Sequence, residues 1–122
     1  MKNYYTKMKL PEPLVPALQA LSLLKGQTAL VTGANSGIGR AIAVSLGRAG
    51  ANVVVNYVVK PEEAEAVVVE IQGGGGHAVA IRADVGDEAQ VVAMFAEAVK
   101  AFGTVDILVS NAGMERNAPF HE

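Results

Sequence analysis

The chain has 122 residues, of which 51% are hydrophobic and 18% charged, and this composition is typical of a single soluble globular domain. A formal net charge of −2, without a cluster of Lys and Arg, argues against nucleic acid as a partner. The chain contains no cysteine, which excludes disulfides and thiolate metal sites, so we expect no metal and a cytoplasmic location.

Residues 1–26 are predicted to form an arm that precedes the first strand. Lys2, Lys7 and Lys9 come before an apolar stretch, as in a signal peptide, but three prolines interrupt that stretch. No uninterrupted apolar segment reaches the length of about 18 residues that a membrane span needs. We therefore expect neither secretion nor a membrane partner.

From residue 27 onward, short β-branched runs alternate with longer segments of helical spacing, as in βαβ units on a parallel sheet. Strands are predicted at residues 28–32, 52–57, 77–82 and 105–110. Helices are predicted from Ser36 or Gly37 to Gly50, from Pro61 to the glycine run 73–76, and from Asp87 to about Phe102. The strands are near-continuous apolar runs, which indicates helices on both faces of the sheet. The predicted fold class is a doubly wound, Rossmann-like α/β fold with an incomplete parallel sheet of about four strands.

Apolar spacing predicts that the first helix buries Ile38, Ile42 and Leu46 on one face. In the third helix, the residues that recur at helical spacing are Val91, Met94, Phe95 and Val99. If the strands take the order 3-2-1-4, the fourth strand forms an outer edge and exposes apolar residues 107–109 beside unpaired backbone groups. Such an edge favours self-association.

The turn from the first strand into the first helix is rich in glycine. Gly33, Gly37 and Gly39 allow the backbone to reverse tightly and to approach a ligand without a Cβ in the way. Asn35 and Ser36 add side-chain donors, although each can equally cap the helix. The phosphate-binding loop of nucleoside triphosphatases requires Gly-Lys-Ser/Thr, whereas this chain has Gly-Arg-Ala at 39–41. Kinase or GTPase chemistry is therefore disfavoured.

Three motifs occur in order: Thr-Gly-x-x-x-Gly-x-Gly at 32–39, Asp-Val at 84–85 and Asn-Ala-Gly at 111–113. As a set, and over residues 25–122, they resemble the short-chain dehydrogenases/reductases. Asn-Tyr at 56–57, Lys-Pro-Glu-Glu at 60–63 and residues 111–115 are most similar to glucose 1-dehydrogenase-like members. The resemblance implies that residues 27–122 are a dinucleotide-binding half-domain.

The resemblance also implies roles for individual residues. The pyrophosphate and adjoining ribose would be bound by Gly33, Ser36, Gly37 and Ile38. The adenine would be flanked by Asp84 and Val85, and the nicotinamide ribose lined by Asn111, Ala112 and Gly113. Each motif also has a purely local interpretation, because Asp84 can begin a turn and residues 111–113 can be turn residues.

The end of the second strand bears on the choice of cofactor. A carboxylate there would bind the adenosine ribose and repel a 2′-phosphate, but Asn56 and Tyr57 occupy this region and no acid does. Asn56 and Tyr57 are therefore predicted to be cofactor-binding residues at the adenosine ribose. Arg40 or Lys60 can supply charge for the phosphate, although either can also be an ordinary solvated residue. We expect NADP in preference to NAD, with NAD left open.

The catalytic Tyr-x-x-x-Lys of the family lies beyond the Asn-Ala-Gly motif and is not found there in this chain. A literal match at residues 5–9 precedes the first strand and is treated as a coincidence, and neither His77 nor His121 has an evident partner. We predict the NAD(P)-binding part of an oxidoreductase that acts on an alcohol or carbonyl, with a sugar such as glucose as one candidate, and that is inactive alone. The small-molecule substrate would be its partner, and longer family members would form homo-oligomers. The alternatives are a stand-alone module that senses a dinucleotide and a remnant that binds nothing.

Overall fold

The computed structural model describes residues 22–113, in which strands and helices alternate. The strands are β1 (Thr28–Val31), β2 (Asn52–Tyr57), β3 (His77–Arg82) and β4 (Ile107–Val109). The helices are α1 (Gly37–Arg48), α2 (Pro61–Gly73) and α3 (Glu88–Phe102). The predictions for the Tyr-x-x-x-Lys match at residues 5–9 and for His121 lie outside the described residues. No helix within residues 22–113 combines the length and the apolarity that crossing a membrane requires.

The four strands form one parallel sheet in the order β3-β2-β1-β4, as predicted. The edge strand β4 is shorter than the predicted 105–110 and pairs with β1 only from Ile107 to Val109. Before it, Asp106 bonds to Thr28 through both backbone and side chain, since its N–H donates to the Thr28 carbonyl and its Oδ2 accepts the Thr28 N–H, each at 2.8 Å. The short edge limits the backbone that β4 leaves unpaired.

Helices cover both faces of the sheet. Alternate residues of β1 point to opposite sides, so Ala29 and Val31 pack under α1 and α2, while Leu30 packs under α3. The first side also holds Val53 and Val55 of β2. The sheet is therefore buried on two faces, which explains why its strands read as continuous apolar runs.

The buried face of α1 differs from the predicted one. Ile38 is 74% exposed, and Ile42 and Leu46 are only partly buried. The residues that α1 buries are Gly39, Ala43 and Val44. Ile38 lies in the first helical turn. Gly39, which has no side chain, lies against the Gly33 carbonyl and the Asn111 amide, and Ala43 packs in the core. The apolar spacing predicted the helix correctly but did not predict which of its residues are buried.

Candidate functional site

A cleft of about 490 Å³ lies at the carboxyl ends of the strands, where the loops after β1, β2 and β4 meet. It is lined by Gly33, Asn35, Ser36, Val58, Val59, Lys60, Glu63, Asn111, Ala112 and Gly113. Strand β1 has β2 on one side and β4 on the other, so the chain leaves β1 in one direction and returns on its opposite flank. Such a switch in strand order is where open α/β sheets bind ligands.

The loop between β1 and α1 depends on three glycines. Gly33 and Gly37 both have φ = +61°, a backbone conformation that other residues rarely adopt. Gly39 has an ordinary φ, but a Cβ on it would stand 2.3 Å from the Gly33 carbonyl oxygen and 2.4 Å from Asn111 Nδ2. A Cβ on Gly37 would meet no heavy atom within 4 Å. The loop is thus tightly packed on its inner side and open around Gly37.

The amino terminus of α1 is left without a cap. Ser36 occupies the N-cap position in an extended conformation, but its side chain makes no cap hydrogen bond, and the first turn holds no acidic residue. No acceptor among residues 22–113 meets the backbone N–H groups of residues 35–39. By contrast, α2 carries Glu62 and Glu63 in its first turn, and Asp87 caps α3. The positive end of α1 therefore faces the cleft ready for an anion.

Thr32 and Asn111 fasten the loop after β4 to the loop after β1. Thr32 Oγ1 accepts the N–H groups of Asn111 and Ala112, both at 3.0 Å. Asn111 Nδ2 donates in return to the carbonyls of Thr32, at 3.3 Å, and Gly33, at 3.2 Å. The two predicted motifs therefore form one wall of the cleft, in which the Asn111 amide holds the glycine loop.

Asn35 joins the glycine loop to the segment after β2. Its Nδ2 donates to the Val59 carbonyl at 3.3 Å, so its side chain does not cap α1. Arg82 Nε donates to the neighbouring Val58 carbonyl at 3.0 Å. The segment 58–60 is thus bonded to the glycine loop through Asn35 and to β3 through Arg82.

Lys60 stands in the cleft lining in a strained conformation. Its φ of 60° and ψ of 64° make it the one non-glycine residue with positive φ among residues 22–113. A left-handed backbone costs roughly 1–2 kcal/mol in a residue with a Cβ. Of the two cations considered for a 2′-phosphate, only Lys60 lines the cleft, whereas Arg40 pairs with Glu70 of α2 at 2.9 Å.

Asn56 and Tyr57 do not line the cleft. Asn56 is fully buried, and its amide is bonded to the backbone on both sides, including the Gly33 N–H at 3.2 Å. Tyr57 is half-buried and packs against the core under α1 and α2. The structure therefore places Asn56 in the scaffold and not at a ribose, because no polar atom of its side chain is accessible. On the β2 side, the cleft is lined by residues 58–60, and not by Asn56 and Tyr57 as predicted.

Asp84 begins a turn after β3, outside the cleft lining. Its Oδ1 accepts the Gly86 N–H at 2.9 Å, and its own N–H donates to Gln90 Oε1 at 2.9 Å. These contacts agree with the alternative that Asp84 begins a turn, and Val85 lies in the same turn. Both residues remain on the carboxyl-end side of the sheet, one strand away from β2.

A profile of the short chain dehydrogenase family matches residues 27–122. The chain belongs to this family. Versicolorin reductase 1 of Aspergillus parasiticus is 55% identical over 91 residues, which are 75% of this chain and 35% of that protein. Tetrahydroxynaphthalene reductase of Pyricularia oryzae is 50% identical over 105 residues, which are 86% of this chain and 36% of that protein. This short-chain dehydrogenase sequence thus spans about a third of the length of these curated relatives.

A solved dehydrogenase/reductase from Sinorhizobium meliloti 1021 has a similar fold. It superposes with a TM-score of 0.78 at 46% identity, with 88% of this chain and 42% of that chain covered. The match confirms the Rossmann-like parallel sheet.

The residues predicted to bind the cofactor of a short-chain dehydrogenase fall into three groups by their position in the structure. The cleft brings together Gly33, Asn35, Ser36, Asn111, Ala112 and Gly113. Beside it lie Gly37 and Ile38, at the start of α1, and elsewhere lie Asn56, Tyr57, Asp84 and Val85. Sequence reasoning missed the part played by Thr32, although its place directly before Gly33 in the motif was the available signal.

Proposed function

We propose that this chain is the dinucleotide-binding part of an oxidoreductase that transfers hydride between a nicotinamide cofactor and an alcohol or carbonyl substrate. The observation that carries the proposal is the uncapped, acid-free amino terminus of α1 at a cleft on the strand-order switch. The family supplies the class of chemistry. When bound, the nicotinamide ring would accept or donate the hydride.

The pyrophosphate would be bound by the Ser36 hydroxyl and by the N–H groups of Gly37 and Ile38, which point from the first turn of α1. Gly33 contributes space and shape, because its own N–H and carbonyl are bonded to Asn56 and Asn111. Ala112 and Gly113 would line the nicotinamide ribose from the other wall of the cleft. The open space around Gly37 fits a group that approaches the backbone closely.

The adenosine end favours NADP over NAD in this proposal. Lys60 lines the cleft, and the one carboxylate among its lining residues is that of Glu63, in the first turn of α2. A 2′-phosphate would pair with the Lys60 ammonium, although Glu63 partly offsets that charge. The test is the melting temperature of the 122-residue chain with equal concentrations of each cofactor. NADP should raise it more than NAD does, and a larger shift with NAD would contradict the preference.

Two substrate classes follow from different observations. Residues 56–57, 60–63 and 111–115 are most similar to glucose 1-dehydrogenase-like sequences, which favours a sugar. The name of tetrahydroxynaphthalene reductase favours a hydroxylated aromatic compound, and the names of both curated relatives favour reduction as the direction of reaction. We expect the 122-residue chain to turn over neither substrate, because the Tyr-x-x-x-Lys pair does not follow its Asn-Ala-Gly motif. Measurable turnover with NADP and glucose, or with NADPH and tetrahydroxynaphthalene, would contradict this expectation.

A cofactor-sensing module without catalysis is the second candidate. The compact packing of the three loops around the cleft within residues 22–113 favours it. Monodisperse, saturable cofactor binding by the 122-residue chain would support this function, and aggregation of the isolated chain would count against it.

A further inference from the structure

Asn56 is an amide in the middle of an apolar environment. It follows Val53, Val54 and Val55 in β2, and like them it is 0% exposed. Burying an amide in such surroundings destabilises the fold unless each of its polar atoms finds a partner. A valine would suit the strand better, so the amide calls for a separate explanation.

The side chain of Asn56 bonds to two other parts of the backbone. Its Oδ1 accepts the Gly33 N–H at 3.2 Å. Its Nδ2 donates to the carbonyls of Ile81, at 3.3 Å, and Ala83, at 3.1 Å. Its own carbonyl accepts the Ala34 N–H at 2.9 Å. One residue of β2 thus holds the glycine loop on one side and the end of β3 on the other.

These bonds orient the peptide that opens the glycine loop. Gly33 has a positive φ and no side chain, so the two peptide planes that meet at its Cα depend on hydrogen bonds for their orientation. In the Thr32–Gly33 peptide, Asn56 Oδ1 accepts the N–H at 3.2 Å and Asn111 Nδ2 donates to the carbonyl at 3.3 Å. In the Gly33–Ala34 peptide, Asn111 Nδ2 donates to the carbonyl at 3.2 Å. The direction in which the chain enters α1 depends on these peptides.

We propose that Asn56 is a positioning residue of the cofactor site, which sets the Gly33 peptide and thereby the place of the first amides of α1. The inference rests on the proposed dinucleotide site. It assigns Asn56 no contact with the cofactor, because its side chain is buried and its amide atoms are already bonded. Its bond to Ala83 also ties the loop to the turn that begins at Asp84.

If Asn56 served only the stability of the sheet, the variants would rank in cofactor affinity as they rank in melting temperature. Asn56→Asp keeps an acceptor for the Gly33 N–H but places a carboxyl group against two carbonyl oxygens, so it should lower the melting temperature more than Asn56→Leu does. Asn56→Leu keeps the approximate volume but removes the Gly33 bond. If Asn56 positions the loop, cofactor affinity should fall in the opposite order, with Asn56→Leu the weaker binder.

The control is Asn52→Leu, an amide-to-leucine change on the same strand. Asn52 lies at the other end of β2, and its Nδ2 donates to Thr28 Oγ1 at 3.4 Å, away from the glycine loop. NADP dissociation constants are measured by calorimetry well below the melting temperature of every variant. We expect affinity about tenfold weaker for Asn56→Leu, about threefold weaker for Asn56→Asp, and within about twofold of wild type for Asn52→Leu. Equal affinity of Asn56→Leu and wild type, or a greater loss in Asn56→Asp, would overturn the proposal.

Amide hydrogen exchange of the chain without cofactor separates this proposal from the proposed function. In the wild type, the Gly33 N–H should exchange at least about tenfold more slowly than the Ser36 N–H, which has no acceptor among residues 22–113. Asn56→Leu should remove that protection and Asn52→Leu should keep it. Similar exchange of Gly33 and Ser36 in the wild type would overturn the positioning role even if a variant failed to fold. If the wild type binds neither NADP nor NAD, the proposed function fails, whereas the exchange result still decides whether Asn56 holds Gly33.

Discussion

At the residue scale, the glycines of the loop after β1 meet different physical demands. Gly37 needs a positive φ in open space, whereas Gly39 needs room for the neighbouring backbone. Gly33 has both requirements, because its φ is +61° and a Cβ on it would lie 3.0 Å from Ala112 Cα. Substitutions at these positions should therefore fail in different ways.

Gly39→Ala should destabilise the chain by about 2 kcal/mol, since its methyl group would overlap the Gly33 carbonyl and the Asn111 amide. It should also weaken cofactor binding, because relief of the overlap would separate the two loops. Gly73→Ala is the matched control, as that helical glycine has no heavy atom within 4 Å of the added Cβ and should gain about 0.5 kcal/mol. Denaturant unfolding of both variants measures the difference, and equal stabilities would contradict the packing argument.

Lys60→Gly should separate backbone strain from charge. Glycine adopts φ = 60° without a steric penalty, so the free energy of unfolding should rise by about 0.5 kcal/mol despite the extra freedom of the unfolded chain. Loss of the ammonium should lower the affinity for NADP and leave the affinity for NAD within about twofold. Calorimetric titration with both cofactors makes the comparison, and a parallel loss of both affinities would assign Lys60 a general structural role.

The strand order 3-2-1-4 predicted from the sequence places the glycine loop and the Asn-Ala-Gly segment side by side, since the strands before them are adjacent and parallel and end at one edge of the sheet. It did not separate residues that face the cleft from those that support it. The position of Asn56 near the end of β2 predicted a ribose ligand, but its side chain is fully buried. Side-chain direction at a strand end depends on register, which single-sequence spacing does not determine there.

At the element scale, the starts of α1 and α3 differ in how their N–H groups are bonded. Asp87 Oδ1 accepts the N–H groups of Ala89 and Gln90 at 3.0 and 3.3 Å, which is a complete side-chain cap on α3. The Ser36 side chain, at the same position of α1, makes no such bond. A helix start that serves stability would resemble α3, so α1 is arranged for another partner.

Asp87→Ala should therefore cost about 1 kcal/mol of stability, while Ser36→Ala should change it by less than about 0.5 kcal/mol. The cofactor affinities should show the reverse, with a loss only for Ser36→Ala. Thermal unfolding with and without NADP measures both quantities in one experiment. A large stability loss for Ser36→Ala would mean that its hydroxyl caps α1 in solution.

The positions of helices and strands were predicted well from the glycines that end helices, from Pro61 and from the apolar runs. The buried face of α1 was not predicted correctly. Ile38, Ile42 and Leu46 are the largest apolar residues of that helix, and a hydrophobic pattern weights size. The residues that α1 buries are instead Gly39, which lies against the glycine loop and Asn111, and Ala43 and Val44, which pack in the core. Close packing through small residues leaves little signal in hydrophobic spacing.

At the scale of the whole molecule, the strand order leaves β4 at an open edge. Leu108 points to the α3 side of the sheet and is 56% exposed, and Val92 and Val99 of α3 are also exposed. In the two curated relatives, the matched region is 35% and 36% of the whole protein. The order itself was predictable, because right-handed crossovers and a strand-order reversal after β3 leave few arrangements.

Leu108→Lys should reduce self-association of the 122-residue chain, since a charged side chain on an edge strand opposes pairing with another edge. Val69→Lys is the control, because Val69 is 63% exposed on α2, away from the β4 edge. Sedimentation velocity over a range of protein concentrations should show fewer large species for Leu108→Lys only. Equal behaviour of both variants would exclude the β4 edge as the contact.

A nicotinamide dinucleotide is proposed to bind where the loops after β1, β2 and β4 meet. Titration of the ¹⁵N-labelled 122-residue chain with NADP, followed by two-dimensional NMR, tests this claim most directly. The amide signals of residues 33–39, 58–60 and 111–113 should shift together along one saturable curve, with a smaller effect at the opposite end of the sheet. Shifts concentrated around the glycine run 73–76, or no saturable shift at a cofactor concentration of about 10 mM, would contradict the claim.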